Sequence, residues 1–228
     1  MSEVLLPDMS LVEAIQTRRS VRGFLEKPVP QAIIEQAFSM AQLAPSNCNT
    51  QPWKAYVASG VLRETISEKL QERARNGAPA RPDFDYSNKF EGEYRKRQIE
   101  CAAAMYGEMN IARDDKEGRA RAGMRNFEIF DAPHVVFIGM DVSFGATISL
   151  DVGMFSQNLM LTLTAYGIGS CAMGSLRHQP DIIRDAFGLD DSIGILFGIA
   201  FGYEDATVPA NNTRVSREPL ENTITFQC

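Results

Sequence analysis

Two polar clusters, Arg18-Arg19-Ser20-Val21-Arg22 and Pro45-Ser46-Asn47-Cys48-Asn49-Thr50-Gln51-Pro52-Trp53, bracket one amphipathic helix signal near the N-terminus. Pro28 and Pro30 interrupt the chain, Ile33, Ile34, Ala37, Phe38 and Ala41 then recur at helical spacing, and Pro45 forbids continuation. The second cluster is therefore a loop between a helix and a strand. Upstream, Ser10 and Glu13 form a capping-box pattern opening a helix that carries Leu11, Ala14 and Ile15, with Gly23 as its expected stop. On a continuing helix Arg18 and Arg22 share a face and Ser20 points away, whereas an extended segment points all three the same way. A helix that loosens near Arg19 would gather them.

The chain has a formal net charge of -6, so three arginines and a hydroxyl within five residues need a local reason. A small dianion such as a phosphate supplies one, because charge-assisted hydrogen bonds contribute about 1.5–3 kcal/mol against about 1 for neutral ones. The loop from Pro45 to Trp53 has no charged residue but carries Ser, two Asn, Thr and Gln. Neutral donors and acceptors of this kind suit the edge of a heteroaromatic ring such as an isoalloxazine, which the protein would bind, orient and tune.

The remainder alternates between helix and strand signals. Strands are expected at 54–58, 134–140, 169–173 and 193–201, and helices at 62–75, 150–166 and 180–187, the last stopped by Gly188. Asn222 to Phe226 has the β-branched alternation of a final strand. Residues 77–123 resist this scheme: prolines and acids open the stretch, and the charged runs 91–97 and 113–121 read as solvated helix faces.

Composition sets further bounds. At 228 residues, 44% hydrophobic and 23% charged, one domain with a substantial core is the default. The 150–166 segment contains Asp151, Gln157 and Asn158 and is a poor bilayer span. No secretory signal pattern opens the chain, which suggests a cytoplasmic protein. The acidic balance disfavours a nucleic-acid surface. The four cysteines show no close pairing, so neither a disulfide framework nor a metal site is expected, and Cys48 reads as a small packing residue. His134 reads as a structural histidine, and no nucleophile elbow or zinc motif accompanies it. Gly167-Ile-Gly169-Ser-Cys-Ala172 matches a dinucleotide fingerprint in letters, but it follows a helix and enters a strand, the reverse of that arrangement.

The run Arg18 to Arg22, the segment Ala44-Pro-Ser-Asn-Cys-Asn-Thr-Gln-Pro-Trp53 and the C-terminal Arg217-Glu-Pro-Leu-Glu221 together resemble the nitroreductase family of FMN-dependent oxidoreductases over nearly the whole chain. Asp131-Ala-Pro-His134 before an apolar strand is similar to the branch that reduces nitrobenzoates and nitroaromatic herbicides. The resemblance implies an α+β fold, a central mostly antiparallel sheet flanked by helices, in one FMN-binding domain spanning 1–228. It implies an intertwined homodimer with C-terminal strand exchange. By motif position Arg18, Arg19, Ser20, Arg22, Arg214 and Arg217 would hold the FMN phosphate, ribityl chain or pyrimidine edge. Pro45, Ser46, Asn47 and Asn49 would approach the ring from the other subunit, Ala172, Met173 and Gly174 would pass their backbone along it, and Arg125 is a candidate for the pyrimidine carbonyl. Gly174 stands where well-known members carry a Glu. The 77–123 stretch is a candidate substrate-covering insertion, in which Phe84, Tyr86, Phe90 and Tyr94 either line a substrate entrance or form a peripheral mini-core.

The implied activity is an NADPH- or NADH-fed ping-pong cycle. Hydride would pass through the flavin N5 to a nitroaromatic, giving nitroso and then hydroxylamino products, with no side chain acting as a catalytic acid or base. Quinones, activated alkenes or flavin as acceptors remain alternatives, as does a non-catalytic flavin-binding sensor or storage protein.

Overall fold

A computed structural model describes residues 7–85 and 89–227. Its chain order is α1 (Leu11–Thr17), α2 (Gln31–Ala41), β1 (Lys54–Ser59), α3 (Gly60–Arg75), α4 (Gly92–Glu108), α5 (Lys116–Met124), β2 (His134–Asp141), α6 (Ser149–Ala165), β3 (Gly169–Met173), α7 (Pro180–Phe187) and β4 (Ile193–Gly202). The strands form one sheet in the order β1-β2-β4-β3, antiparallel at every pairing, with His134 opposite Phe201 and Lys54 opposite Gly139. This is the α+β architecture read from the sequence.

Strand β2 is buried on both faces, so its alternate residues feed two cores. Val135 and Phe137 meet Ile66 and Leu70 of α3 and Ile182 and Ile183 of α7 on one side. Val136, Ile138 and Met140 meet α2 and α6 on the other, through Ile34, Ala37, Val152, Phe155 and Leu159. The expected strand 169–173 and helix 180–187 form with those limits. Pro180 opens α7 and Gly188, at φ 63°, closes it in the left-handed conformation.

One expectation needs correction. Gly23 does not stop α1. The helix ends at Thr17 and Arg18 is already extended at φ -53°, ψ 125°. The backbone at Ser20 and Val21 instead runs beside β3, where Ser20 bridges Ser170 and the Val21 N–H donates to the Ser170 carbonyl at 3.0 Å. Gly23 serves a close approach, since a Cβ there would lie 2.5 Å from Val208. Residues 222–226 form no ladder within the described residues of this chain: Asn222 closes a 3-10 turn begun at Leu220, and Ile224 and Phe226 are exposed. A strand needs a neighbour for its backbone groups, and the single chain supplies none there.

His134 is structural, as its position at a strand entrance suggested. Its Nε2 accepts the Val29 N–H at 2.9 Å, Nδ1 lies 2.6 Å from Ser59 Oγ, and the ring stacks on Phe201. An accepting Nε2 places the proton on Nδ1, donating to Ser59. Burial pushes the imidazole below its ordinary value, and burial with nearby Arg177 does the same to His178. The unfolded chain then binds protons that the folded chain resists. Stability is therefore full above about pH 6.5 and falls as the pH drops from there toward the folded-state values. Urea unfolding at pH 7.5 and 5.5 should show this loss, and His134→Gln should reduce it to the part that His178 contributes. An unchanged slope in that variant would contradict the assignment.

Candidate functional site

The N-terminal cluster is set by the end of α1. Ser10 Oγ accepts the Glu13 N–H at 3.2 Å, and the Glu13 carboxylate accepts the Ser10 N–H at 2.8 Å, closing the capping box and fixing the helix start. Beyond Thr17 the pleat along β3 turns Val21 inward, 1% exposed, and leaves Arg18, Ser20 and Arg22 together on a cleft of about 720 Å³. Arg19, Arg214 and Arg217 also line it. The cleft thus unites all six residues that motif position assigned to the phosphate, ribityl chain or pyrimidine edge, and no carboxylate lines it. A volume of this size suits a cofactor-sized ligand.

The arginines are not equivalent. Arg19 forms an ion pair with the Glu204 carboxylate, and its Nε donates to the Asn211 carbonyl at 3.4 Å. Arg214 donates to the carbonyls of Asn211 and Thr213, and Arg217 to those of Val215 and Ser216. Arg22 reaches the Ser20 carbonyl at 3.3 Å. Arg18 and Arg22 have no ion pair among the described residues, so their charge is uncompensated. The field of both reaches β3: burial pushes the Cys171 thiol up, while Arg22 and Arg18 pull it down.

Asn211 organises this cleft without any motif that marks it in the sequence. Its side chain is buried, Oδ1 accepts the Arg22 N–H at 2.6 Å, and Nδ2 donates to the Gly23 and Asp205 carbonyls at 2.9 Å. In sequence it is one asparagine among several in a turn-rich connection.

The second cluster lies elsewhere in the single chain. Ser46 Oγ accepts the Gln51 N–H at 3.0 Å, and the Asn47 N–H donates to Asp151 Oδ2 of α6 at 3.0 Å. Trp53 closes the loop by stacking on Phe155 at 5.1 Å and donating from Nε1 to Gln42 Oε1. Cys48, Asn49 and Gln51 all have positive φ, a conformation that costs most L-residues energy and that Asn tolerates better. Cys48 is exposed and does not fill a core position, which corrects the packing reading. Pro45, Asn47 and Asn49 are exposed, Ser46 is half-buried, and none of them lines the arginine cleft. Asp151 was read only as a polar interruption of an apolar helix; its anchoring of the loop has no local signal.

The bridge between Ser20 and Ser170 sets the cleft beside the start of β3. Ala172 and Gly174 are exposed and Met173 is buried, so the end of β3 and the residue that follows it expose two small residues. A Cβ at Gly174 would lie 3.5 Å from Arg177 Nη1, an ordinary contact, so nothing crowds this surface. Gly167, at φ 71°, turns the chain from α6 into β3, which places the G-x-G-x-x-A letters between helix and strand as expected.

Arg125 is engaged within the protein, at 2.6 Å from Glu128 and 2.5 Å from Asp131. Burial opposes its charge, and the two carboxylates outweigh that and raise its pKa. It faces a neighbouring cavity of about 430 Å³ that also includes Arg22. The aromatic candidates separate. Phe84 packs over Gly194 and lines a cavity of about 580 Å³ with Met140, Phe144 and Phe197. Phe90 and Tyr94, both exposed, line a groove of about 500 Å³ with Arg22, Cys101 and Met105. Tyr86 lies outside the described residues. No group of acidic, histidine or cysteine side chains suited to a metal ion occurs among the described residues, and no helix there is long and apolar enough to cross a membrane.

The nitroreductase family model matches residues 15–203, from the arginine cluster through β4. The chain belongs to the nitroreductase family. Nitroreductase NfnB of Mycolicibacterium smegmatis is 34% identical over 96% of this chain and 95% of its own length. The 4-nitrobenzoate reductase of Pseudomonas putida is 35% identical over 93% of each. The crystal structure of the FMN-dependent nitroreductase NfnB from Mycobacterium smegmatis in complex with NADPH superposes with a TM-score of 0.90 at 33% identity, over 94% of this chain and 96% of that one. Both the nitroreductase fold and the sequence signature therefore extend over nearly the full chain.

Proposed function

We propose that this nitroreductase is an FMN-dependent NAD(P)H oxidoreductase that reduces nitroaromatic compounds in two alternating half-reactions. One observation carries the reading: a carboxylate-free cleft gathers the arginines and Ser20, and Ser20 bridges Ser170 of β3, two residues before the small, exposed Ala172. Those donors fit a phosphate dianion, and the small side chains admit close approach of a planar ring. Arg18, Arg22 and Arg217 hold the phosphate, Ser20 and Arg214 support the ribityl side, and Arg19 acts through its pair with Glu204. FMN supplies the two-electron acceptor and donor when bound. The chain contributes binding, orientation and a positive field that favours developing negative charge, with no side chain required as a strong acid or base.

The active unit is a homodimer, with the site at the subunit interface. The loop carrying Pro45, Ser46, Asn47 and Asn49 stands outside its own chain's arginine cleft, and a second copy can bring it there. Leu11, Val12 and Ile15 of α1, Leu43 after α2, and Leu150 of α6 are exposed apolar residues on mutually packed helices, which favours burial against a partner. Residues 222–226 then find their missing neighbour on the partner, and the 77–123 segment covers the site within one domain of 228 residues. A cytoplasmic location completes the reading.

The visible spectrum of fresh protein should show a flavin that bleaches under anaerobic NADPH and recovers when a nitroaromatic is added. A colourless protein that ignores added FMN would exclude the enzyme reading. Sedimentation should give a dimer, and removal of residues 220–228 should shift it toward monomer.

A further inference from the structure

The outer flank of α4 carries a second basic cleft, separate from the one that holds Arg18 and Arg22. It encloses about 630 Å³ between α4 and the start of α5, and Arg95, Arg113, Arg119, Tyr106, Ile99 and Ile111 shape it. No carboxylate lines it, and none of its three guanidiniums has an ion-pair partner among the described residues. Arg95 donates to Gln98, Arg119 donates to the Arg113 carbonyl at 3.1 Å, and the Arg119 guanidinium lies 5.1 Å from the Tyr106 ring centre. In a chain with net charge -6, three uncompensated guanidiniums beside a tyrosine ring and two isoleucines form a surface for an anion attached to a flat apolar group.

Position narrows the class of ligand. Gln98 and Ala102 belong both to this cleft and to the Phe90–Tyr94 groove. Arg22 and Cys101 belong both to that groove and to the first arginine cleft. The three depressions therefore neighbour one another around α4, a path for an elongated ligand from the outer cleft to the flavin-binding cleft. Resting on the redox function proposed above, we propose that this outer cleft receives the 2′-phosphoadenosine end of NADPH: the guanidiniums take the 2′-phosphate and the Tyr106 side takes the purine. NADH has no 2′-phosphate, so the cleft makes the enzyme prefer NADPH.

The test titrates the full chain, with excess FMN, by calorimetry with adenosine 2′,5′-bisphosphate and with adenosine 5′-monophosphate. The bisphosphate should bind at least tenfold more tightly, and Arg113→Ala with Arg119→Ala should remove that difference. The same double variant should lower the ratio of kcat/KM for NADPH over NADH at least tenfold, and the double Lys variant should recover part of it. Equal binding of the two probes, or an unchanged ratio in the Ala variant, would overturn the assignment and leave the redox function intact. Binding of the bisphosphate that depends on Arg113 and Arg119, in a protein that NADPH does not reduce, would support the cleft and overturn the redox function.

Discussion

Replacing Arg18 and Arg22 together by alanine is expected to yield a folded protein that purifies without flavin and binds added FMN at least a hundredfold more weakly. Each substitution removes a guanidinium with no ion-pair partner among the described residues from a cleft that no carboxylate lines. Charge-assisted hydrogen bonds are worth about 1.5–3 kcal/mol each, and about 2.7 kcal/mol in total corresponds to a hundredfold. The fold should survive, because the inward residue of this segment is Val21 and the backbone bond from Val21 to Ser170 uses no side chain. Fluorescence titration with FMN, alongside circular dichroism, makes the measurement. Full flavin loading in the variant would sink the phosphate assignment. Arg19→Ala gives a useful contrast, since it also leaves Glu204 unpaired and should cost stability as well as affinity.

Phe155→Ala should be the most destabilising of the substitutions considered, by about 3–5 kcal/mol in denaturant unfolding. Phe155 is 1% exposed, stacks on Trp53 and meets Phe38 at 6.5 Å between ring centres. It thus joins α6, α2 and the end of the polar loop in one contact set. Losing the ring leaves a cavity under Trp53 and loosens the loop that Asp151 holds at its other end. Flavin affinity in the surviving folded fraction should fall too, although Phe155 lines none of the clefts described. Phe155→Leu separates volume from stacking and should cost less than half as much. A loss below about 1 kcal/mol for the alanine variant would mean that the loop and α6 are not mechanically joined.

Local chemistry made much of this molecule readable. Pro180 and Gly188 delimit α7, and Ser10 with Glu13 opens α1, because each acts on its own backbone within a turn. The continuous apolar run of β4 and the alternating cores of β2 follow from period alone. Where reading failed, the deciding partner was distant in sequence. The end of α1 is set by Ser170, about 150 residues away, and no residue near Gly23 announces it. Arg19 looked equivalent to Arg18 until Glu204 claimed it. Asn211 and Asp151 anchor the two functional segments through side-chain hydrogen bonds to backbone groups, and such bonds leave no periodic trace. The six residues of the arginine cleft were legible from their motif, and the distance of the Pro45–Asn49 loop from its own chain's cleft agrees with the family resemblance, which brings that loop from a second subunit.

Helix α4 has no buried side chain, although its seventeen residues span the groove and both basic clefts. One ion pair, Arg97 to Glu218 at 2.9 Å, ties it to the C-terminal segment, and the two cores of the sheet draw nothing from it. Its sequence can therefore drift with little penalty to folding, while the arginine segment, held to β3 by its pleat, cannot accept even a one-residue insertion without turning Arg22 inward. Variation in what the enzyme accepts and constancy in what it holds are thus assigned to different parts of one chain, and a library confined to positions 92–108 should alter acceptor range far more often than it abolishes expression.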